Sequence, residues 1–251
     1  MLEVSGTDAL LGLVALVAGT VDAIGGGGGL VTLPVLLAAG LPPHLALGTN
    51  KGQSVFGAAA ALLRFSRAGL VPLARARWTF PLAFLGSLVG ARLVLWVRPE
   101  LLRPVVLVLL VGAAVFVVLR PGVSGGREPS TAVAPAAALA LGIGAYDGFF
   151  GPGTGTLLIV GLAGLLGLPL RQASAEAKVI NFASNLAAAL LFAARGTVVW
   201  HTALPMAAGQ LLGGWIGAHL TVRGGERIVR WVVLCVVAAL VVKLSVDALR
   251  S

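Results

Sequence analysis

The feature that most constrains this chain is a run of five glycines inside an apolar segment. The run occupies residues 25–29 of a 251-residue chain, just after Asp22 and just before a second apolar stretch that begins at Leu30. Each glycine costs a helix about 1 kcal/mol relative to alanine, so five in succession break it. Broken backbone at membrane depth is tolerated only where protein or a water-filled cavity covers it. If the flanking stretches lie in a bilayer, the break is a candidate binding site; the alternative is a tight turn between packed helices.

The composition indicates that the flanking stretches do lie in a bilayer. The chain is 58% hydrophobic and 11% charged, with a mean hydropathy of +1.01. A soluble domain carries about 25% charged residues. Several apolar runs reach the roughly 20 residues that are needed to cross hydrocarbon. We therefore predict an all-α integral membrane protein, multi-pass in the plasma (inner) membrane, with no separate soluble domain.

The net charge of +9 does not indicate nucleic-acid binding here. The arginines lie in short connections between apolar runs, where they set the orientation of a membrane protein. Cys235 is the single cysteine, which excludes an intramolecular disulfide and a thiolate metal cluster. We expect no metal and no cofactor. Glu3 and Asp8 stand where a signal peptide would be basic, so we expect the first apolar run to be retained.

The glycine-broken pattern recurs in the second part of the chain. The segment 144–155, GAYDGFFGPGTG, matches the first break at a spacing of 125 residues, pairing Gly19 with Gly144, Asp22 with Asp147, Gly26 with Gly151 and Gly28 with Gly153. Farther along, the spacing settles at 127 residues and pairs Lys51 with Lys178, Gly86 with Gly213 and Gly90 with Gly217. The pattern predicts two tandem membrane repeats. We place the first repeat at residues 1–120, a polar linker at 121–130 and the second repeat at 131–251, together forming one transport domain.

The apolar periods predict ten helices. Their ranges are 8–24, 30–39, 44–63, 78–97, 101–119, 131–149, 156–167, 172–194, 199–220 and 227–249. If each break lies within one span, the chain has eight simple spans and the repeats are parallel. If each break is the tip of a hairpin, each repeat has a hairpin plus three transmembrane helices, and the repeats are inverted.

The loop arginines favour the inverted arrangement. Parallel repeats divide fourteen loop arginines into eight and six, whereas inverted repeats divide them into ten and four. The set of ten is Arg64, Arg67, Arg75, Arg77, Arg120, Arg127, Arg171, Arg223, Arg227 and Arg230. Because positive residues concentrate on the cytoplasmic side, we expect inverted repeats with extracytoplasmic termini. The two breaks then approach the midplane from opposite faces, as in many transporters.

Two lysines early in aligned helices are the main candidates for binding. Lys51 and Lys178 lie in apolar surroundings, and a charged group in a span is normally functional. Polar residues at helical spacing accompany them, namely Thr49, Asn50, Gln53, Ser54, Asn181 and Asn185. Cationic and amide donors beside helix N-termini describe an anion site, with backbone donors from Gly26, Gly28, Gly151 and Gly153. The structural alternative is that these groups cap the broken helices and hold the repeats together.

Three carboxylates are candidates for proton coupling. Asp22 and Asp147 precede the two breaks, where they could accept protons, pair with the lysines, or cap backbone donors. Glu176 lies two residues before Lys178 and therefore does not share a helix face with it. It could carry a proton or simply lie at a helix start, where a carboxylate is favoured.

Enzyme functions fit the sequence poorly. The glycine run does not follow a strand, so a dinucleotide-binding site fails on context. The segment GTNKGQS lacks the earlier glycine and the Lys-Ser/Thr step of a phosphate loop. No Ser/His/Asp arrangement appears, and we predict that the protein is not an enzyme.

The two paired motifs resemble the TauE/SafE family of membrane transporters. The resemblance rests on GGGGGLVTLPVLLAAGLPPHLALGTNKGQSVFGAAAALLRFSRAGLV in the first repeat and AEAKVINFASNLAAALLFAARGTV in the second, and it covers nearly the whole chain. It implies an inner-membrane carrier for sulfite, organosulfonates or related small anions. The chain departs from the family pattern at Glu176, where many relatives carry Gly-Thr, and at GPGTG, which replaces the glycine run in the second repeat.

We therefore predict a secondary transporter, more specifically an exporter, of a small anion such as sulfite, an organosulfonate or a small carboxylate, with proton coupling. A passive anion channel and a non-transporting scaffold or sensor are the alternatives. The expected partners are the anion and the lipid bilayer, without nucleic acid; a homodimer is left open.

Overall fold

The computed structural model describes residues 6–119 and 130–249, and all regular structure in these ranges is α-helical. The helices are α1 (Gly6–Gly25), α2 (Gly28–Ala38), α3 (Pro43–Arg67), α4 (Leu73–Trp96), α5 (Pro99–Leu119), α6 (Val133–Phe149), α7 (Thr154–Leu166), α8 (Leu170–Ala194) and α9 (Trp200–Leu249). By length and composition, α4 and α8 are each able to cross a membrane.

The first predicted break is confirmed between α1 and α2. Gly26 and Gly27 have φ angles of 77° and 92°, a left-handed conformation that glycine adopts without steric cost. A Cβ atom on Gly28 would lie 2.8 Å from the carbonyl oxygen of Ala18, so α2 begins against the side of α1. Leu11 of α1 and Leu36 of α2 belong to one buried cluster. The chain therefore turns back on itself as a hairpin.

The second predicted break is confirmed between α6 and α7. Gly151 and Gly153 have φ angles of 98° and 84°, and Gly153 is the residue that precedes α7. The hydroxyl of Thr154 donates to the carbonyl oxygen of Gly151 at 2.6 Å. The segment GPGTG thus turns the chain with two left-handed glycines, as the longer glycine run does in the first hairpin.

The two breaks meet. A Cβ atom on Gly155 would lie 2.7 Å from the Cα atom of Gly26, and one on Gly29 would lie 3.3 Å from the Cα atom of Pro152. The hydroxyl of Thr156 donates to the carbonyl oxygen of Gly25 at 2.9 Å. These backbones can approach so closely because glycine has no side chain at the contact.

Small residues bring α1 against α9 and α6 against α4. Contacts advance together along α1 and α9, from Gly12 against Pro205 to Thr20 against Gly217, so these helices run in the same direction. They also advance together along α4 and α6, where Gly86 meets Leu141 and Gly90 meets Ala145. The aligned glycines at positions 86, 90, 213 and 217 allow this close packing, because they have no side chain at the contact.

Contacts between α3 and α8 give the relative direction of these two helices. At one end, a Cβ atom on Gly48 would meet Thr197, which follows α8. At the other end, Phe65 near the C-terminus of α3 shares a buried cluster with Ala175 near the N-terminus of α8. These two helices therefore run in opposite directions. Farther along α3, Gly57 packs on Gln210, so α3 runs parallel to α9.

The last two predicted helices are a single helix in the structure. We predicted separate helices at 199–220 and 227–249, and α9 instead continues through both. No proline lies between them, and the two glycines at 224–225 weaken a helix without forbidding it. The second repeat thus lacks the separate final transmembrane helix that we predicted for it. The predicted linker at 121–130 lies outside the described residues except for Ser130.

Candidate functional site

A small polar cavity lies where the two breaks meet. Its volume is about 20 Å³, enough for a single water molecule. The side chains that line it are Asp22, Asn50, Lys51, Ser54, Asp147, Thr154, Asn181, Asn185 and Gln210, and backbone of both breaks completes the wall at Gly27, Gly28, Gly29, Gly151, Gly153 and Gly155. Elements from both predicted repeats therefore build one site.

The first ion pair at this site is fully buried. Lys51 of α3 lies 2.7 Å from Asp147 of α6, measured from Nζ to Oδ1, and each side chain is 2% exposed. The other carboxylate oxygen of Asp147 accepts a hydrogen bond from the hydroxyl of Ser184 on α8. Asp147 reaches this position because α6 ends only two residues later, at the second break.

The second ion pair is more open. Lys178 of α8 lies 2.5 Å from Asp22 of α1, measured from Nζ to Oδ2, with side-chain exposures of 1% and 24%. The other oxygen of Asp22 accepts the backbone N–H of Gly28 at 3.1 Å. The same aspartate therefore caps the first hairpin and neutralises a lysine, two roles that we had set out as alternatives. Asn181 Oδ1 lies 3.4 Å from Lys178 Nζ.

The two pairs cross between the two parts of the chain. Each lysine binds the aspartate that precedes the other break, so Lys51 pairs with Asp147 and Lys178 with Asp22. Two positive and two negative charges then give the four side chains a formal charge of zero. Removing one member of a buried pair costs about 3–5 kcal/mol, because its partner stays buried and unpaired. The charges can separate readily only if another ion or a proton replaces the lost partner.

Neutral polar groups surround the pairs. Asn50 Oδ1 accepts hydrogen bonds from the hydroxyl of Thr32 at 2.6 Å and from the amide of Gln53 at 3.2 Å. The amide of Asn185 donates to the carbonyl oxygen of Asn181 at 2.7 Å. These contacts hold two asparagines from α3 and α8 at the cavity wall.

The structure separates the predicted site residues into two groups. It brings together the lysines, the two aspartates, Asn50, Ser54, Asn181, Asn185, Gly28, Gly151 and Gly153. Four predicted residues lie elsewhere. The hydroxyl of Thr49 accepts the backbone N–H of Val199, Gln53 supports Asn50, Gly26 packs against the other break, and Glu176 binds an arginine.

Three residues at the site escaped the sequence analysis. Gln210 of α9 lines the cavity and is 3% exposed, and its side chain fits between Gly19 and Gly57. Ser184 binds Asp147, and Thr154 begins α7. An amide alone in an apolar helix was a usable signal for Gln210, although the aligned position in the first repeat is Ala83. Within the described residues, no group of His, Cys, Asp and Glu side chains is placed to hold a metal ion.

Comparisons with known proteins agree on one family. The family model described as "Sulfite exporter TauE/SafE" matches residues 11–244. A protein of Escherichia coli K12 named "Probable membrane transporter protein YfcA" is 37% identical over 241 residues, covering 95% of this chain and 90% of its own. The "Probable membrane transporter protein ORF9" of a Sinorhizobium species is 36% identical over 245 residues, covering 95% and 92%.

A similarly named protein of Haemophilus influenzae is 36% identical over 241 residues, covering 95% of this chain and 94% of its own. No solved structure matches the chain. The family model spans almost the whole chain, and the relatives are similar over most of their length. Both findings indicate the same family as the paired motifs do. The chain belongs to the TauE/SafE family of membrane transporters.

Proposed function

We propose that the protein is a secondary transporter of a small anion, and that the anion binds between Lys51 and Lys178. The observation that carries this proposal is a pair of buried lysines, each paired with an aspartate, around a cavity built from two broken helices. Buried charge in a membrane segment is costly and marks substrate pathways. Amide groups of Asn50, Asn181 and Asn185 supply further hydrogen-bond donors.

The substrate class follows from the charge and the donors. Two ammonium groups, asparagine amides and the N-termini of α2 and α7 all favour an acceptor-rich anion over a cation or an apolar molecule. Sulfite, an organosulfonate and a small carboxylate have this character. Sulfite is also the anion that the name of the matching family mentions.

Charge balance supports proton coupling. The four charged side chains sum to zero, so a monoanion bound among them leaves one uncompensated negative charge in a poorly solvated site. A proton on Asp22 or Asp147 restores neutrality and at the same time frees a lysine for the anion. Anion and proton are therefore carried together. Export then runs down the concentration gradient of the anion, and an inward proton gradient opposes it.

The helix directions support alternating access by two inverted repeats. α1 runs parallel to α3 and α9, α6 runs parallel to α4 and α8, and α3 opposes α8. Helices α1, α3 and α4 of the first repeat thus oppose α6, α8 and the first part of α9, their aligned helices in the second. A cavity of about 20 Å³ is too small for an anion of several heavy atoms, so the hairpins must move for substrate to enter. Such rocking also distinguishes a carrier from a channel.

The distribution of arginines supports one orientation. The arginine-rich end, formed by the C-terminus of α3 and the N-termini of α4 and α8, carries Arg64, Arg67, Arg75, Arg77, Arg171 and Arg223 among the described residues. Among the residues whose side chains the structure describes, the opposite end carries Arg92, Arg98 and Arg195. The positive-inside tendency places the arginine-rich end in the cytoplasm, which puts the N-terminal end of α1 outside.

The test of the binding site is thermal stabilisation of the purified protein by a panel of small anions. A ligand that binds only the folded protein raises the unfolding temperature by mass action. We expect sulfite, a sulfonate or a carboxylate to raise it in the wild type and not in Lys178→Ala. Arg195→Ala is the control, because it removes one positive charge at an exposed position. No shift with any anion, or an equal shift in Lys178→Ala, would contradict the proposal.

The test of coupling is flux in proteoliposomes. We expect anion efflux to saturate with concentration, to move protons in the same direction and to slow when the receiving side is acidified. An efflux rate that does not depend on a pH gradient would contradict proton coupling but not the proposed anion site. Efflux that never saturates would indicate a channel.

A further inference from the structure

A second polar cavity lies at the arginine-rich end, away from the central site. Its volume is about 200 Å³, and it is lined by the connection 69–72 between α3 and α4 together with Arg75, Gln172 and Glu176. One water occupies about 30 Å³ of liquid, so this cavity has room for several. Its polar groups and its volume allow water, and therefore protons, to reach Glu176 from the arginine-rich side.

An ion pair crosses the wall of this cavity. Arg75 of α4 donates to Glu176 Oε2 of α8 from Nε at 3.1 Å and from Nη2 at 2.7 Å. Its Nη1 donates to the backbone carbonyl of Ser130, just before α6, at 2.7 Å. A single guanidinium therefore ties α4 of the first repeat to α8 of the second and to the last residue of the linker. Any motion that separates α4 from α8 at this end must break the pair.

Glu176 has one carboxylate oxygen in an unusual setting. The side chain is 1% exposed, and among the described residues Oε1 has no hydrogen-bond partner. A buried acceptor without a donor is costly, and a proton is the smallest ligand that relieves the cost. The charged side chain that contacts Glu176 among the described residues is Arg75 on α4, and Lys178, two residues along α8, is held by Asp22. The connection 69–72 and Gln172 contribute no charge.

The opposite end is built differently. The position aligned with Glu176 is Thr49, whose hydroxyl accepts the backbone N–H of Val199 at 3.0 Å. The position aligned with Arg75 is Thr202, which is 6% exposed. A neutral contact thus stands where the arginine-rich end has an ion pair. Only one of the two ends has a carboxylate at this position.

We propose that Glu176 is a proton-binding site that opens the passage between the arginine-rich end and the central cavity. A proton from water in the 200 Å³ cavity adds to the carboxylate, which becomes a neutral carboxylic acid and releases its charge-assisted bonds with Arg75. α4 and α8 can then separate. Opening from this end depends on the pH of this side alone, because the other end carries threonine at the aligned position.

Glu176 controls access to the proposed anion site, and the identity of what passes rests on the proposed function. Opening itself can be measured without transport. Ser54→Cys places a thiol at the central cavity, and Cys235→Ala removes the single native cysteine. Membrane vesicles that present the arginine-rich end to a membrane-impermeant maleimide then report access to the centre. Leu73→Cys, at a position that is 79% exposed on the same end, corrects for the intrinsic reactivity of a thiol at each pH.

We expect labelling at Ser54→Cys, relative to Leu73→Cys, to rise about tenfold as the pH of the arginine-rich side falls. Glu176→Gln mimics the protonated side chain and should label fast at every pH. Arg75→Gln should open the passage as well, and the double variant should show no further increase, because both changes break one contact. Vesicles of the opposite orientation should show no such dependence on the pH of the exposed side.

Labelling that stays pH-dependent in Glu176→Gln, or that is equal in the wild type and the variant, would overturn the proposal. Access from both ends at once in Glu176→Gln and Arg75→Gln would also overturn it, because this outcome indicates loss of structure rather than opening of one passage. The anion panel separates the two proposals. If no anion stabilises the protein while labelling depends on Glu176 as described, the proposed role of Glu176 is supported and the proposed anion site is contradicted.

Discussion

The two central ion pairs occupy aligned positions, yet their surroundings differ. Asp147 and Lys51 are both 2% exposed, whereas Asp22 in the second pair is 24% exposed. The free oxygen of Asp147 is held by a side-chain hydroxyl, and that of Asp22 by a backbone N–H at the start of α2. Within the proposed mechanism, the buried pair holds the two repeats together. The Asp22–Lys178 pair is where a proton or an anion first arrives.

This difference shows why a duplicated motif need not give a symmetric site. A carboxylate that bulk water reaches, such as Asp22, can lose its partner at moderate cost, whereas the separation of Asp147 from Lys51 leaves two charges without water. The polar residues follow the same division. Asn185 and Gln210 line the cavity, while the aligned positions are Ala58 and Ala83. The three predictions that follow test whether burial alone accounts for the difference between the pairs.

The largest effect is expected from removing the lysine of the buried pair. Lys51→Ala leaves Asp147 unpaired and buried, and we expect it to lower the free energy of unfolding by about 3–5 kcal/mol. Lys178→Ala should cost less, because water reaches Asp22 and Gly28 still donates to it. Denaturation of the detergent-solubilised variants measures both. Equal losses, or a larger loss in Lys178→Ala, would show that burial does not distinguish the pairs.

A smaller effect is expected from the hydroxyl that supports the buried pair. Ser184→Ala removes a hydrogen bond to the Asp147 carboxylate, and we expect a loss of about 1.5–3 kcal/mol in the free energy of unfolding. Ser174→Ala is the matched control, because its buried hydroxyl donates to the neutral carbonyl of Ile24. The control should lose about 0.5–1.5 kcal/mol. If the two variants lose the same free energy of unfolding, the hydrogen bond from Ser184 does not stabilise the charge on Asp147 more than an ordinary hydrogen bond would.

The smallest effect concerns the affinity for anion. Asp22→Asn removes a charge but keeps an oxygen that can accept the N–H of Gly28, and it leaves Lys178 free for substrate. We expect about tenfold tighter anion binding, or about 1.4 kcal/mol, with most of its pH dependence lost. Asp147→Asn should keep the pH dependence, because it leaves the Asp22–Lys178 pair unchanged. Calorimetric titration at several pH values tests this, and the reverse pattern would assign the proton to Asp147.

The sequence predicted which residues build the site better than it predicted which residues they contact. Both breaks, the lysines and the close packing at Gly86 and Gly213 were predictable, because glycine runs, charges in apolar helices and small-residue spacing are local signals. The partners of Thr49 and Glu176 were not, because they lie on distant segments. The continuity of α9 was not predicted, because the polar segment between 220 and 227 gives no local signal that a helix continues through it.

By itself the sequence determined that this chain is a helical membrane protein with two glycine breaks and charges at matched positions, since composition and spacing impose these features locally. Only the tertiary structure decided that each lysine binds the aspartate at the other break, and that Asp22 remains partly exposed while Asp147 does not. Pairing and burial depend on how helices far apart in the chain pack together. That packing places α1 against α8 at the Asp22–Lys178 pair and α3 against α6 at the Lys51–Asp147 pair.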